Sequence, residues 1–164
     1  MKTTHILPVI LLGISTLFSA CQNPAIESQS SGEENPHQKT LEQLEQNKEM
    51  VVTFYQDLFG NKNLDAIDQY IGDTYIQHNP MAKDGKEALK AFLEPWFKNA
   101  PKDTVDIQFA GAYGDRVFLH IRNTFGGKEV AVVDIFRIED GKIVEHWDVI
   151  QEVPENAVSD HPMF

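Results

Sequence analysis

Cysteine occurs once in this 164-residue chain, at Cys21, so no disulfide within the chain can staple the fold. Basic residues are also scarce. Fourteen Lys and Arg stand against 25 Asp and Glu, for a net charge of −11 and a pI near 4.8. A nucleic-acid partner, which needs a Lys/Arg stripe against phosphates, is therefore disfavoured. The same acidity repels anionic lipid headgroups, so any membrane attachment must be covalent or hydrophobic. There is no HExxH, no GxGxxG, no glycine-rich phosphate loop and no G-x-S-x-G elbow, which counts against nucleotide-dependent chemistry and serine hydrolysis. No internal repeat is visible. The one long apolar run, Ile6 to Phe18, is broken by Pro8, Gly13, Ser15 and Thr16 and is short for a bilayer span. What remains, 41% hydrophobic and 24% charged residues, suits one globular domain with a real core.

The N-terminus has the layout of a secretory signal: Lys2, the apolar stretch, then small residues before Cys21. "LFSAC" resembles the lipobox of bacterial lipoproteins, with Phe18 where that pattern usually has Leu. The resemblance implies cleavage after residue 20 and a lipid on Cys21; Gln22 after it is similar to the outer-membrane-sorted class. An ordinary signal with a free thiol is the competing reading. An acylated Cys21 leaves no thiol for a disulfide, a metal or nucleophilic catalysis. Residues 21–39 are polar and rich in Ser, Glu, Asn and Pro, and read as a flexible tether ahead of a domain at 40–164.

Thr40 and Gln43 can form a capping box, and Leu41, Leu44, Val51, Phe54, Tyr55 and Leu58 then recur at helical spacing up to Gly60. A second helix fits "NLDAIDQYI", capped by Asn63, with Leu64, Ile67 and Ile71 as its inner face. Asp84 and Glu87 open a third, with Leu89, Phe92, Leu93 and Trp96 apolar and Pro95 expected to kink its last turns. After Pro101 come four β-rich segments separated by Gly114-Asp115, Gly126-Gly127 and Asp140-Gly141. Helices first and a meander second predict an α+β fold with helices on one sheet face. Met163 and Phe164 are candidates to dock on that domain.

The last segment, "KIVEHWDVIQ", places His146 and Asp148 on one strand face and Trp147 on the other. What joins them depends on the turn at "EDGK". A two-residue turn at Asp140-Gly141 pairs Glu139 with Lys142 and puts Asp134 opposite Trp147. A turn at Glu139-Asp140 with Gly141 as a bulge puts Asp134 opposite His146. The bulged register is preferred, because it gathers Asp134, Phe136, Val144, His146 and Asp148 on one face. Ile135, Ile143, Trp147 and Val149 then lie on the other. A carboxylate on that partly apolar face has the setting of a general base.

"YIQHNP" offers His78 as a proton carrier and Asn79 as an amide donor for an enolate oxygen, unless Asn79 merely closes a turn before Pro80. His120, inside "VFLHI", is a candidate pocket residue against a structural reading. Two histidines and a carboxylate from His78, His120, His146, Asp134 and Asp148 could hold a metal, but the spacing is weak, and neither a metal nor a cofactor is expected.

"TYIQHNPMAKDGKEALKAFL" followed by "VVDIFRIEDGKIVEHWDVIQEVP" resembles the SnoaL-like polyketide cyclases of the nuclear transport factor 2-like superfamily, from about Leu41 to Phe164. The resemblance implies a cone-shaped α+β barrel, three helices on a curved, mainly antiparallel sheet, with a pocket between them. It implies cofactor-free intramolecular aldol condensation with an aspartate base, which by position is Asp148. The cyclases have a histidine on the neighbouring strand where this chain has Asp134, so the detail of that chemistry does not carry over. It also implies a homodimer through the outer sheet face, which suits the stripe Val133, Ile135, Trp147 and Val149. Two readings stay open: an enzyme acting on a small, mostly apolar carbonyl compound, or an envelope lipoprotein that binds a hydrophobic ligand without changing it.

Overall fold

The apolar residues at helical spacing are buried as a stripe. Val51, Phe54, Tyr55 and Leu58 lie in the core, on α1 (Pro36–Tyr55) and the π-helical turn Gln56–Gly60 that continues it. The computed structural model describes residues 36–164. The expected signal, Cys21 and most of the expected tether lie outside the described residues. α1 nevertheless begins at Pro36, so the last four positions assigned to the tether belong to the helix. In the π turn the Gln56 side chain bonds Asp103 O and the Val105 N–H, both at 3.0 Å, and so fixes where the sheet starts.

α2 is shorter than expected, Asp65–Tyr70. Asn63 does supply its side-chain oxygen to the Asp65 N–H, but Ile71, expected on the helix, instead opens β1 (Ile71–Gln77) and is buried. α3 (Lys86–Phe97) starts after Gly85, whose φ of 93° suits glycine, and runs through Pro95. Asp84 does not cap it; its carboxylate accepts the Gln77 N–H at 2.8 Å. Gly85 N–H donates to Tyr75 O. These two bonds fold the segment after β1 back along that strand.

The sheet is completed by β2 (Asp106–Tyr113), β3 (Arg116–Phe125), β4 (Lys128–Glu139) and β5 (Lys142–Glu152). Its order is β1-β5-β4-β3-β2, with β1 parallel to β5 and every other pair antiparallel. Three helices on a five-stranded, mainly antiparallel sheet make the expected α+β cone.

The β4–β5 register follows neither alternative. The turn is tight, with Asp140 at φ 50° and Gly141 at φ 71°, and it pairs Glu139 with Lys142 and Ile138 with Ile143. One step further on, Arg137 pairs with Glu145, so Val144 is an extra residue on β5. Beyond that bulge Phe136 faces His146, and Asp134 faces Asp148. Parity is restored by a bulge in the strand rather than in the turn. The corrected residue is Ile143, which points inward and is 0% exposed, whereas an outward position was expected. Gly72 makes room for the bulge, since a Cβ on it would lie 3.0 Å from Val144 Cγ1.

This register has a measurable signature. Ile143→Ala should destabilise the fold by about 2–5 kcal/mol, as deletion from a closed core does. Val149→Ala, at a side chain 66% exposed, should cost less than about 0.5 kcal/mol. Equal urea midpoints for the two variants would contradict an inward Ile143.

Candidate active site

Alternation on three strands sends a group of polar side chains into one cavity. β4 contributes Asp134, and β5 contributes His146 and Asp148 directly across from it. The edge segment of β1 contributes Tyr75, Gln77 and Asn79. All of these line a cavity of about 960 Å³. The helices roof it with aromatic side chains, among them Phe54, Tyr55, Phe92, Trp96 and Phe97.

The hydrogen bonds determine where the protons sit. The Asn79 N–H donates to Gln77 Oε1 at 2.9 Å, which identifies that atom as the amide oxygen. His146 Nδ1 lies 2.8 Å from the same oxygen and must therefore carry a proton. Its other nitrogen, Nε2, is 2.9 Å from Asp134 Oδ1. With Nδ1 protonated, that contact needs a proton of its own. It is held either on Nε2, donating to the carboxylate, or on the carboxyl, donating to Nε2. In both forms the Asp134–His146 pair has no net charge.

Asp148 is held differently. Asn79 Nδ2 donates to its Oδ2 at 2.5 Å, and the amide cannot be reversed because Asn79 Oδ1 accepts the Met81 N–H at 2.8 Å. Asp148 Oδ1 has no hydrogen-bond partner among the described residues. Asp148 thus stands half-buried in the cavity lining beside that pair, with one oxygen fixed by Asn79.

Two phenols that sequence reasoning passed over complete this group. Burial pushes Tyr55 well above the usual phenol range, and the charge of Asp134 and a hydrogen bond to it act in the same direction. Tyr75 is raised too, by burial first and then by the charges of Asp134 and Asp148. Both therefore stay protonated at neutral pH. Gln77 was missed as well, although period-two alternation through "YIQHN" already places 75, 77 and 79 on one face.

The same alternation takes His78 out of the pocket. Its ring stacks on Trp147 at 4.5 Å, and its Nε2 contacts Glu145 at 2.8 Å, both on the outer sheet face. His120 does not reach the cavity either. It sits between Phe109 and Phe164, each ring 5.8 Å away, so the chain's closing Phe docks on the outer face. Of the residues expected in the pocket, Asp134, His146, Asp148 and Asn79 are together, and His78 and His120 are not. Among the described residues one group has metal-binding potential: ligand atoms of Asp134, His146 and Asp148 lie within 4.8 Å of one another. Both His146 nitrogens are already engaged, so an ion there would have to displace the proton shared with Asp134.

An α+β cone with a cavity that holds this polar group defines a pocket protein of the nuclear transport factor 2-like fold. The sequence profile of the SnoaL-like domain matches residues 51–146, more than half of the chain, and the chain belongs to that family. The match ends at His146, two residues short of Asp148. Among solved structures, a nuclear transport factor 2-like protein of unknown function from Burkholderia xenovorans is 16% identical, with a TM-score of 0.56 over 70% of this chain and 89% of that one. A candidate polyketide cyclase from Acidithiobacillus ferrooxidans is 18% identical, with a TM-score of 0.53 over 64% and 87%. An epoxide hydrolase of M. tuberculosis is 20% identical, with a TM-score of 0.53 over 66% and 85%. At these identities the likeness shows a shared fold. Among curated proteins none matches the chain.

On the outer face, Arg137 donates to Glu145 at 2.6 Å, and His78 bonds the other carboxylate oxygen. The Arg137 hydrogen bond first, and His78 second, hold Glu145 below its ordinary value of 4.5. A carboxyl lowered by folding contributes stability that is present above 4.5 and lost as pH falls through the lowered value. Glu145→Gln should therefore be less stable than the parent near neutrality, with the gap closing as pH falls below 4.5. Urea midpoints across that range test it; a gap that does not change with pH would contradict the assignment.

Proposed function

We propose that this pocket belongs to a cofactor-independent enzyme in which Asp148 is the general base, acting on a small, mostly apolar compound at a carbon next to its carbonyl. The observation that carries this is the setting of Asp148: it lines the cavity with Oδ2 anchored by Asn79, and Oδ1 accepts no hydrogen bond from the described residues. Asp134, the second carboxylate, is engaged by its hydrogen bond with His146, which leaves Asp148 as the carboxylate to act as the base. Asp148 takes the α-proton, and the C–H electron pair moves into the carbonyl to form an enolate. In an isomerisation Asp148 returns the proton to a different carbon. In an aldol condensation the enolate carbon attacks a second carbonyl of the same molecule, and the new alkoxide takes the proton. The proteins sharing the fold include a candidate polyketide cyclase from Acidithiobacillus ferrooxidans, which supports the second variant of the chemistry.

Incubation in D2O with a panel of cyclic and aromatic ketones, followed by NMR, tests the base. The parent should exchange the α-protons of at least one member. Asp148→Asn should slow that exchange by about 10²–10⁴-fold. Unchanged exchange in the variant would remove Asp148 as the base, and a ketone held without any exchange would point to a binding module.

The protein is, in the same proposal, a lipoprotein of the cell envelope anchored through Cys21. The lone cysteine after "LFSA", behind Lys2 and the apolar run, supports this, and no helix of the described residues is long and apolar enough to cross a membrane. In a bacterial host fed an alkyne fatty acid, the parent should be labelled and Cys21→Ser should not. Label retained by Cys21→Ser would rule the anchor out.

A further inference from the structure

Two permanently charged cations line the cavity, Arg122 and Lys62. Arg122 is tied to the Glu129 carboxylate. Lys62 is half-buried and has no carboxylate partner among the described residues: its Nζ donates to Phe59 O and lies 5.6 Å from the centre of the Phe97 ring. Asp103 and Asp106, acids of the same lining, accept the Thr104 N–H and the Gln108 amide instead. An ammonium carries three N–H donors, so two of those on Lys62 are left for a ligand.

Two uncommon backbone features bring Lys62 to this place. The π-helical turn Gln56–Gly60 ends two residues before it, and Lys62 itself is left-handed, at φ 58°. Glycine or asparagine is the usual residue in that conformation at a helix end, so a lysine is held there against its own backbone preference. From Lys62 a wall of cavity-lining rings runs to the polar group: Phe97, Phe59, Tyr55 and Phe136, with successive centroids 6.1, 4.6 and 6.4 Å apart. The Phe136 ring then lies 4.8 Å from that of His146.

We propose that Lys62 is a specificity-determining residue that binds a carboxylate of the substrate, so that the pocket takes aryl keto acids whose apolar body lies along this wall and whose ketone reaches Asp148. This rests on the reading of Asp148 as the base. An ionised base repels a second negative charge, while the unpaired ammonium attracts it, so the two charges orient the ligand in one sense. Lys62 is half-buried against aromatic surface, where its charge is screened less than in bulk water. Capping Phe59 O is a structural task that the same side chain performs, and the test separates the two roles.

Isothermal titration calorimetry of the full chain with 5-(2-naphthyl)-5-oxopentanoate and with its methyl ester separates charge from shape. The parent should bind the acid at least about 5-fold more tightly than the ester, with the gap narrowing as salt is raised. Lys62→Asn, a side chain that tolerates the left-handed backbone, should bind acid and ester equally. Lys62→Arg should keep most of the preference. Equal affinity for acid and ester in the parent, a preference kept by Lys62→Asn, or no binding of either ligand would overturn the proposal. So would a Lys62→Asn variant that loses acid and ester alike, which is the mark of a purely structural lysine. If instead the base assignment fails, Asp148→Asn leaves α-exchange unaltered while the preference for the acid still depends on Lys62, so the two failures are distinguishable.

Discussion

The extra residue in β5, Val144, determines which side chains of two neighbouring strands share the pocket. Without it, the tight turn at Asp140-Gly141 would run the strands one residue out of phase, and Asp134 would oppose Trp147. With it, Asp134 opposes Asp148, and both face the helices with His146. The bulge is possible because β1 presents Gly72 at the point of closest approach. A backbone irregularity of one residue thus decides whether two carboxylates and a histidine meet or are split across a sheet.

The second constraint is hydrogen-bond direction. β1 lies at the sheet edge, and its last residues fold over the polar group in the cavity, pinned by Asp84. That segment supplies two amides whose orientation is forced by backbone N–H groups. Gln77 then dictates the protonated nitrogen of His146, and Asn79 dictates which oxygen of Asp148 is free. Each polar group has a role because the neighbouring donor or acceptor is already spent, which is how a buried network stays inexpensive.

Much of this was legible in the chain. The helical stripe through Val51, Phe54 and Leu58, the meander after Pro101 and the shared face of His146 and Asp148 follow from local periodicity. His78 was misjudged by attention to residue chemistry: a strand that sends Asn79 inward sends His78 outward. His120 was left open for a similar reason, since a histidine within an apolar strand run can face either side. Tyr55 and Tyr75 were hidden because a phenol on an apolar stripe looks like packing, and only the folded chain brings carboxylates near it.

By itself the sequence determined the alternation along each strand, and so the opposite faces of Trp147 and the His146/Asp148 pair, because side-chain direction has period two in any extended chain. Only the tertiary structure decided which residues stand across from them. The β4–β5 offset depends on a bulge fitted against Gly72, and the proton positions depend on Gln77 and Asn79 arriving from a strand far away in the chain. Those are contacts between distant segments, and local periodicity carries no information about them.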